Sequence, residues 1–339
     1  MKSILITGGA GFIGVNAANH FYNLGWEINI LDNLSRHGSE RNLTWLKNKL
    51  RKINFFKIDI RDKSALEEIF KNNKFDLILH LAAQVAVTKS CENPREDFEI
   101  NALGTFNILE SIRLYMPKAF IINASTNKVY GSLESVETKL DKSGYSFKKL
   151  NHGISENHPL DLHSPYGCSK GIGDQYTIDY SRIFELNATT FRQSCIYGKH
   201  QFGIEDQGWV AWFSIAALLD KQISFFGDGW QTRDILDVRD LCKAYELAWM
   251  NRENISGQAF NIGGGSSNTI CLRKLISKIE QNLNKKINPI LKETRPGDQP
   301  VYISNIQKAK QMLSWEPEIS IDKGLSQLIN WIKENKNLF

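Results

Sequence analysis

Tyr166 and Lys170 stand four residues apart in Ser164-Pro165-Tyr166-Gly167-Cys168-Ser169-Lys170, a spacing that puts both side chains on one face of a helix. Pro165 suits the first turn of such a helix. A phenol with its ordinary pKa of ~10 is a poor base at neutral pH, and a nearby positive charge makes it a better one by stabilising the phenolate. The pair could therefore take a proton from a hydroxyl group and return it. Thr126, closing Ala124-Ser125-Thr126, offers a hydroxyl that could orient the reacting oxygen. Taken alone, the Tyr–Lys spacing is common surface decoration, so the pair gains meaning only from what surrounds it.

A second group of residues supplies that context. Ile4-Leu5-Ile6-Thr7 runs straight into Gly8-Gly9-Ala10-Gly11-Phe12-Ile13-Gly14. Glycines there permit a tight turn and a close approach to a pyrophosphate, and the following helix offers free N–H groups. Asp32 ends the next apolar run, where a carboxylate can accept both hydroxyls of an adenosine ribose. The order strand, glycine turn, helix, strand, carboxylate points to a dinucleotide. Asp32 would repel a 2′-phosphate, which favours NAD over NADP, while the nearby Arg36 pulls the other way. Asp59-Ile60 could flank the adenine, although Asp59 reads equally well as a helix N-cap. An oxidised nicotinamide ring beside Tyr166 would add the positive charge the phenolate needs.

These residues must be held by a scaffold. Short apolar runs at Ser3–Thr7, Glu27–Leu31, Ile53–Ile58, Asp76–Leu81, Ala119–Asn123 and Asn187–Phe191 alternate with helical patterns at Ile13–Leu24, Ser64–Asn72 and Asp97–Tyr115. That rhythm predicts an α/β fold with a doubly wound parallel sheet of the Rossmann type. All the candidate residues would then lie at the carboxyl edge of the sheet. After Phe191 the rhythm breaks, and a smaller, discontinuous C-terminal α/β lobe is expected. We divide the chain into a dinucleotide domain, residues 1–192 plus 237–267, and a substrate lobe, residues 193–236 plus 268–339. Ser132–Asn157, polar and lysine-rich, reads as an inserted surface loop.

Composition excludes several classes. The 339 residues are 42% hydrophobic and 23% charged with net charge +5, which suits a large folded core and excludes a disordered chain. The basic residues are interspersed with acidic ones, so no nucleic-acid footprint is expected. Five cysteines without metal-type spacing predict reduced thiols and no metal site. The longest apolar stretch, Ala211–Leu219, is too short to span a bilayer, and the N-terminus carries no signal-peptide pattern. A cytoplasmic protein without a membrane partner is expected.

At this point the chain resembles the extended short-chain dehydrogenase/reductase superfamily of NAD-dependent nucleotide-sugar epimerases and dehydratases. The residues carrying the likeness are Thr7 to Gly14, Asp32-Asn33, Asp59-Ile60-Arg61-Asp62, His80-Leu81-Ala82-Ala83-Gln84, Asn101, Gly104-Thr105 and Tyr166…Lys170. A narrower likeness, to 2-epimerases of CDP-linked deoxyhexoses in lipopolysaccharide sugar assembly, rests on Ser125-Thr126-Asn127-Lys128-Val129-Tyr130-Gly131, Asp161 to Gly171, Phe191 to Gly198, and Gln201-Phe202 followed by Asp206 to Val210. The resemblance implies an isomerase with tightly bound NAD. Tyr166, Lys170 and Thr126 would be catalytic. Gly8, Gly11, Phe12, Ile13, Gly14, Asp32, Asn33, Ser35, Arg36, Asp59, Ile60, Leu81, Ala82, Ala83, Gln84, Asn101, Ser125 and Gln193, with Tyr166 and Lys170, would hold the cofactor.

For the substrate it implies Thr126, Asn127, Gln201, Gln207, Trp209, Arg233, Arg295 and Asp298, the arginines being suited to a diphosphate. Where sugar 4,6-dehydratases of the superfamily carry Asp-Glu after the threonine, this chain has Asn127-Lys128, which cannot supply that acid and base. Cys195 replaces the asparagine usual in 4-epimerases and reads as a small apolar filler. The catalytic residues do not separate C2 from C4 chemistry, so a UDP- or CDP-hexose 4-epimerase and a CDP-glucose 2-epimerase stay open, as does a non-catalytic NAD-binding regulator. By the same resemblance, Asp97–Tyr115 and Tyr166–Phe184 would pair two copies into a homodimer or build a homotetramer.

Overall fold

A computed structural model of the chain describes residues 1–295 and 298–339. Its centre is a sheet of seven parallel strands: β1 (Ser3–Thr7), β2 (Glu27–Leu31), β3 (Asn54–Phe56), β4 (Leu77–His80), β5 (Phe120–Thr126), β6 (Ala188–Gln193) and β7 (Gln258–Ile262). They lie in the order β7-β6-β5-β4-β1-β2-β3, so the chain winds outward first one way and then the other from β1. Successive side chains of a strand point to opposite faces, and β1 shows it. Ile4 and Ile6 pack with Val15 and Phe21 on one face, while Leu5 packs with Ile78, Ile108 and Tyr180 on the other. Helix α1 (Phe12–Asn23) covers the first face. The second carries α2 (Gly104–Tyr115) and α3 (Ser164–Phe184).

Register brings the functional strand ends level. Thr7 is opposite Leu31 in β2 and His80 in β4, and Thr126 is opposite Gln193 in β6. The smaller lobe has its own core, in which Val210, Phe213, Ile235, Ile279, Leu328 and Ile332 are buried together. The apolar stretch near Ala211 forms most of the helix Trp209–Leu218, which packs against the helices Leu272–Leu283 and Ile321–Glu334. No described helix is long and apolar enough to cross a membrane.

Four features differ from the expectations. Ser132–Asn157 is not a plain surface loop, because it contains the antiparallel hairpin Thr138–Asp141 with Gly144–Phe147. It also buries Leu133, Phe147 and Ile154 against Val301 and Tyr302, apolar positions masked in the sequence by the lysines between them. The helix expected over Asp97–Tyr115 is interrupted by a π-turn at Glu99–Leu103. The segment Ser39–Lys49, where no element was expected, is a helix that buries Leu43 and Leu46. Ala309, Leu313 and Trp315, inside the range assigned to the smaller lobe, belong instead to the core of the large sheet, where the Trp315 indole N–H donates to the carbonyl of Asp240 at 2.9 Å.

Candidate active site

The turn after β1 is as tight as its glycines require. At Gly8, which has φ +65°, a Cβ would lie 2.8 Å from the Ala82 backbone, and at Gly14 it would meet the Gly8 carbonyl at 2.5 Å. The bare backbone thus forms a cradle that side chains would fill. Asp32, only 8% exposed, accepts from the Ala10 N–H at 3.0 Å and the Leu34 N–H at 2.7 Å. Burial raises its pKa, and these two hydrogen bonds oppose that rise. A carboxylate has about four acceptor sites, which leaves room for two ribose hydroxyls. Asp59 is not a helix N-cap. That role falls to Asp62, while Asp59 binds Arg61 and Asn33 and is held down to about 2, chiefly by Arg61.

A cavity of about 790 Å³ opens from this turn and continues to Arg233 and Arg295 in the smaller lobe. Gly8, Gly11, Phe12, Ile13, Gly14, Asp32, Asn33, Ser35, Arg36, Asp59, Ile60, Leu81, Ala82, Ala83, Ser125 and Gln193 all line it. Gln84 and Asn101 do not, contrary to expectation. Asn101 exchanges hydrogen bonds with the backbone of Gln84 and also donates to Asp97 and Ser169. The π-turn aims Asn101 this way, so both residues brace the loop after β4 from behind. His80, buried in β4, accepts from the Thr7 hydroxyl at Nδ1 and donates to Thr105 from Nε2. Burial holds it neutral, with a pKa of about 3, so it positions the loop and carries no charge.

Tyr166, Lys170 and Thr126 meet on the floor of the cavity. Ser164 begins α3 in the left-handed region, φ +63°, and its hydroxyl accepts from the Gly167 N–H, so the turn that presents Tyr166 is a strained one. The Thr126 hydroxyl lies beside the Tyr166 phenol and favours its ionised form. Burial pushes that phenol up to about 12, Thr126 and the Arg36 guanidinium pull it down, and Asp97 pushes it further up. Lys170 does not reach the phenol. Its ammonium donates to the carbonyl of Ala124, and burial lowers it to about 8 against the pull of Asp174 and Asp97. Between the two, Ser169 donates to Asp97 at 2.5 Å, which fixes the rotation of α3.

Thr126, Asn127, Gln201, Gln207, Trp209, Arg233, Arg295 and Asp298 line the far half. Arg233 is clamped by Asp298 and the Gln299 carbonyl, each at 2.6 Å, so Asp298 is partly committed to the arginine. Arg295 bonds Asp206 at 2.7 Å and lies 3.7 Å from the Phe226 ring. Gln207 receives a hydrogen bond from Arg36 across the cavity mouth. Burial raises the pKa of the Cys195 thiol, so it stays protonated in the cavity wall. Sequence reasoning missed Phe226 and left Lys128 without a role. Alternation in Ser224–Phe226 carried the signal for Phe226, since Phe225 is buried at 3% and its neighbour must face the other way.

The glycine cradle, the remaining acceptor sites of Asp32 and the unpartnered buried hydroxyl of Ser125 fit NAD, from adenosine ribose to nicotinamide. Fold and site together define an NAD-dependent nucleotide-sugar enzyme of the extended short-chain dehydrogenase/reductase type. Residues 5–328 match the family described as GDP-mannose 4,6 dehydratase, and the chain belongs to that family.

Among curated relatives, CDP-paratose 2-epimerase of Salmonella typhi is 40% identical over 333 residues, covering 97% of this chain and 98% of its own. The crystal structure of UDP-glucose 4-epimerase from Thermotoga maritima, with UDP-glucose, is 29% identical with a TM-score of 0.85, covering 98% of this chain and 99% of its own. UDP-glucuronic acid 4-epimerase from Bacillus cereus, in complex with UDP-glucuronic acid and NAD, is 26% identical with a TM-score of 0.84, covering 98% of this chain and 99% of its own.

Proposed function

We propose that the chain inverts C2 of the deoxyhexose in CDP-paratose to give CDP-tyvelose, retaining NAD throughout the cycle. NAD, when bound, supplies the hydride acceptor and donor and a positive charge over the cavity floor. Tyr166 takes the proton of the C2 hydroxyl as phenolate and returns it after the 2-keto sugar has turned. Thr126 orients the same oxygen. Lys170, anchored at Ala124, holds the nicotinamide ribose and adds positive charge near the phenol. Arg233 and Arg295 hold the diphosphate, leaving the sugar free to rotate.

The observation carrying this reading is the meeting of Tyr166, Lys170 and Thr126 on the floor of a cavity that joins the glycine turn to Arg233 and Arg295. Asn127, which also lines that floor, is an amide and exchanges no proton at neutral pH, which argues against dehydration. The 40% identity to a CDP-paratose 2-epimerase supports the choice of carbon and base. The test is to supply CDP-paratose to the purified protein without added NAD and follow the product by NMR. Inversion at C2 is expected. Inversion at C4 alone, or no conversion, overturns the reading.

A second reading, a UDP-hexose 4-epimerase, draws on the TM-score of 0.85 to the Thermotoga maritima enzyme and uses the same three residues. We also propose a homodimer. Phe98, Phe106, Leu114, Tyr176, Ile183 and Phe184 leave large apolar surface exposed on and beside α2 and α3. Phe106 and Tyr176 lie edge to face 5.9 Å apart across the two helices, which makes the surface one continuous patch.

A further inference from the structure

Among the described residues, five cationic side chains line the cavity: Arg36, Lys128, Lys170, Arg233 and Arg295. Four already have partners. Arg36 bonds Gln207, Lys170 the Ala124 carbonyl, Arg233 Asp298, and Arg295 Asp206. The Lys128 ammonium has no hydrogen bond or ion pair among the described residues. Its backbone N–H donates to the Thr126 hydroxyl oxygen at 3.2 Å, so the side chain leaves the strand end two residues beyond the catalytic threonine. It faces the substrate half of the cavity, within the electrostatic reach of Arg233, Asp298 and Cys195.

A desolvated ammonium calls for an anion. Asp298, the carboxylate within its reach, is already bound to Arg233. A neutral sugar cannot supply the missing charge, but a diphosphate can. Resting on the nucleotide-sugar reading above, we infer that Lys128 binds the phosphate that carries the sugar and thereby sets which sugar carbon meets Tyr166. A phosphate held two residues from Thr126 brings the anomeric end of the sugar to the catalytic pair. C2 is bonded to the anomeric carbon, whereas C4 lies across the ring. Lys128 thus favours oxidation at C2 and remains the fixed point about which the keto sugar turns. Burial also lowers the pKa of this lysine, as a site awaiting a counter-charge requires.

The test compares CDP with CMP, and UDP with UMP, binding to the NAD-loaded protein by calorimetry, for wild type, Lys128→Met and Lys128→Arg. The methionine variant should lose roughly tenfold or more in affinity for the diphosphates, the size of a charged hydrogen bond. Monophosphate binding should stay within about twofold, and the arginine variant should recover most of the loss. Equal losses for mono- and diphosphates, or no loss for either, would overturn the assignment. Reading the ratio on both pyrimidines separates this result from a failure of the CDP assignment, which would leave only the uridine pair bound.

Discussion

The ammonium of Lys170 is tied to the carbonyl oxygen of Ala124, two residues before Thr126 on the same strand. The helix that carries Tyr166 and the strand that carries Thr126 are thereby locked together. Burial of the lysine brings its pKa down to about 8. Lys170→Met should cost about a hundredfold or more in kcat. In the wild type, activity should fall as pH rises through the region of that pKa, since the required form is the protonated one. Lys170→Arg, which cannot deprotonate there, should remove this descending limb. A pH–rate series on the three proteins checks it.

Arg36 also acts on Tyr166 through its charge. Its positive charge favours the phenolate, so its removal raises the phenol pKa and lowers the phenolate fraction at neutral pH. Arg36→Met should reduce kcat at pH 7 by about a few-fold. It should also shift the ascending limb of the profile to higher pH. A uniform loss at every pH would instead assign Arg36 to binding alone.

His80 gives a signature in stability. Its pKa is about 3 in the folded protein against an ordinary 6.5. Between those values the unfolded chain binds a proton that the folded chain does not. The stabilisation is therefore complete above pH 6.5 and is lost as pH falls toward 3, by about 1.4 kcal/mol per pH unit. Urea midpoints from pH 7 to 4.5 should fall, and His80→Gln should flatten that slope while lowering the pH 7 value. An unchanged slope in the variant would contradict the assignment.

The scaffold was legible because its signals are local. Continuous apolar runs, the glycine turn and Asp32 follow from period and position, and the Tyr166–Lys170 face follows from helical spacing. What stayed hidden depends on contacts distant in sequence. Asn101 reads like a cofactor ligand, but the π-turn at Glu99–Leu103 turns it onto Gln84 and Ser169, and no spacing pattern predicts that turn. Trp315 joins the large core through the Asp240 carbonyl, across a lobe boundary drawn from composition. The anchors in the smaller lobe were visible as arginines. Their clamping by Asp298 and Asp206 was not, because it depends on how distant segments meet.

The exposed patch over α2 and α3 predicts a dimer. Ile183, 61% exposed, and Phe106, 37% exposed, should be buried in it. The double variant Phe106→Glu, Ile183→Glu should be monomeric by light scattering while keeping its circular dichroism spectrum, since neither side chain belongs to the core. A wild type that is itself monomeric at micromolar concentration would contradict the assignment.

The central claim is that Tyr166 handles the proton of a C2 hydroxyl while the hydrogen on C2 never reaches solvent. CDP-paratose deuterated at C2, converted in ordinary water by the protein as purified, tests it most directly. The account predicts CDP-tyvelose with the deuterium fully retained at C2, and no turnover in Tyr166→Phe beyond about a thousandth of wild type. Loss of the label to solvent, or inversion at another carbon with C2 untouched, would contradict it.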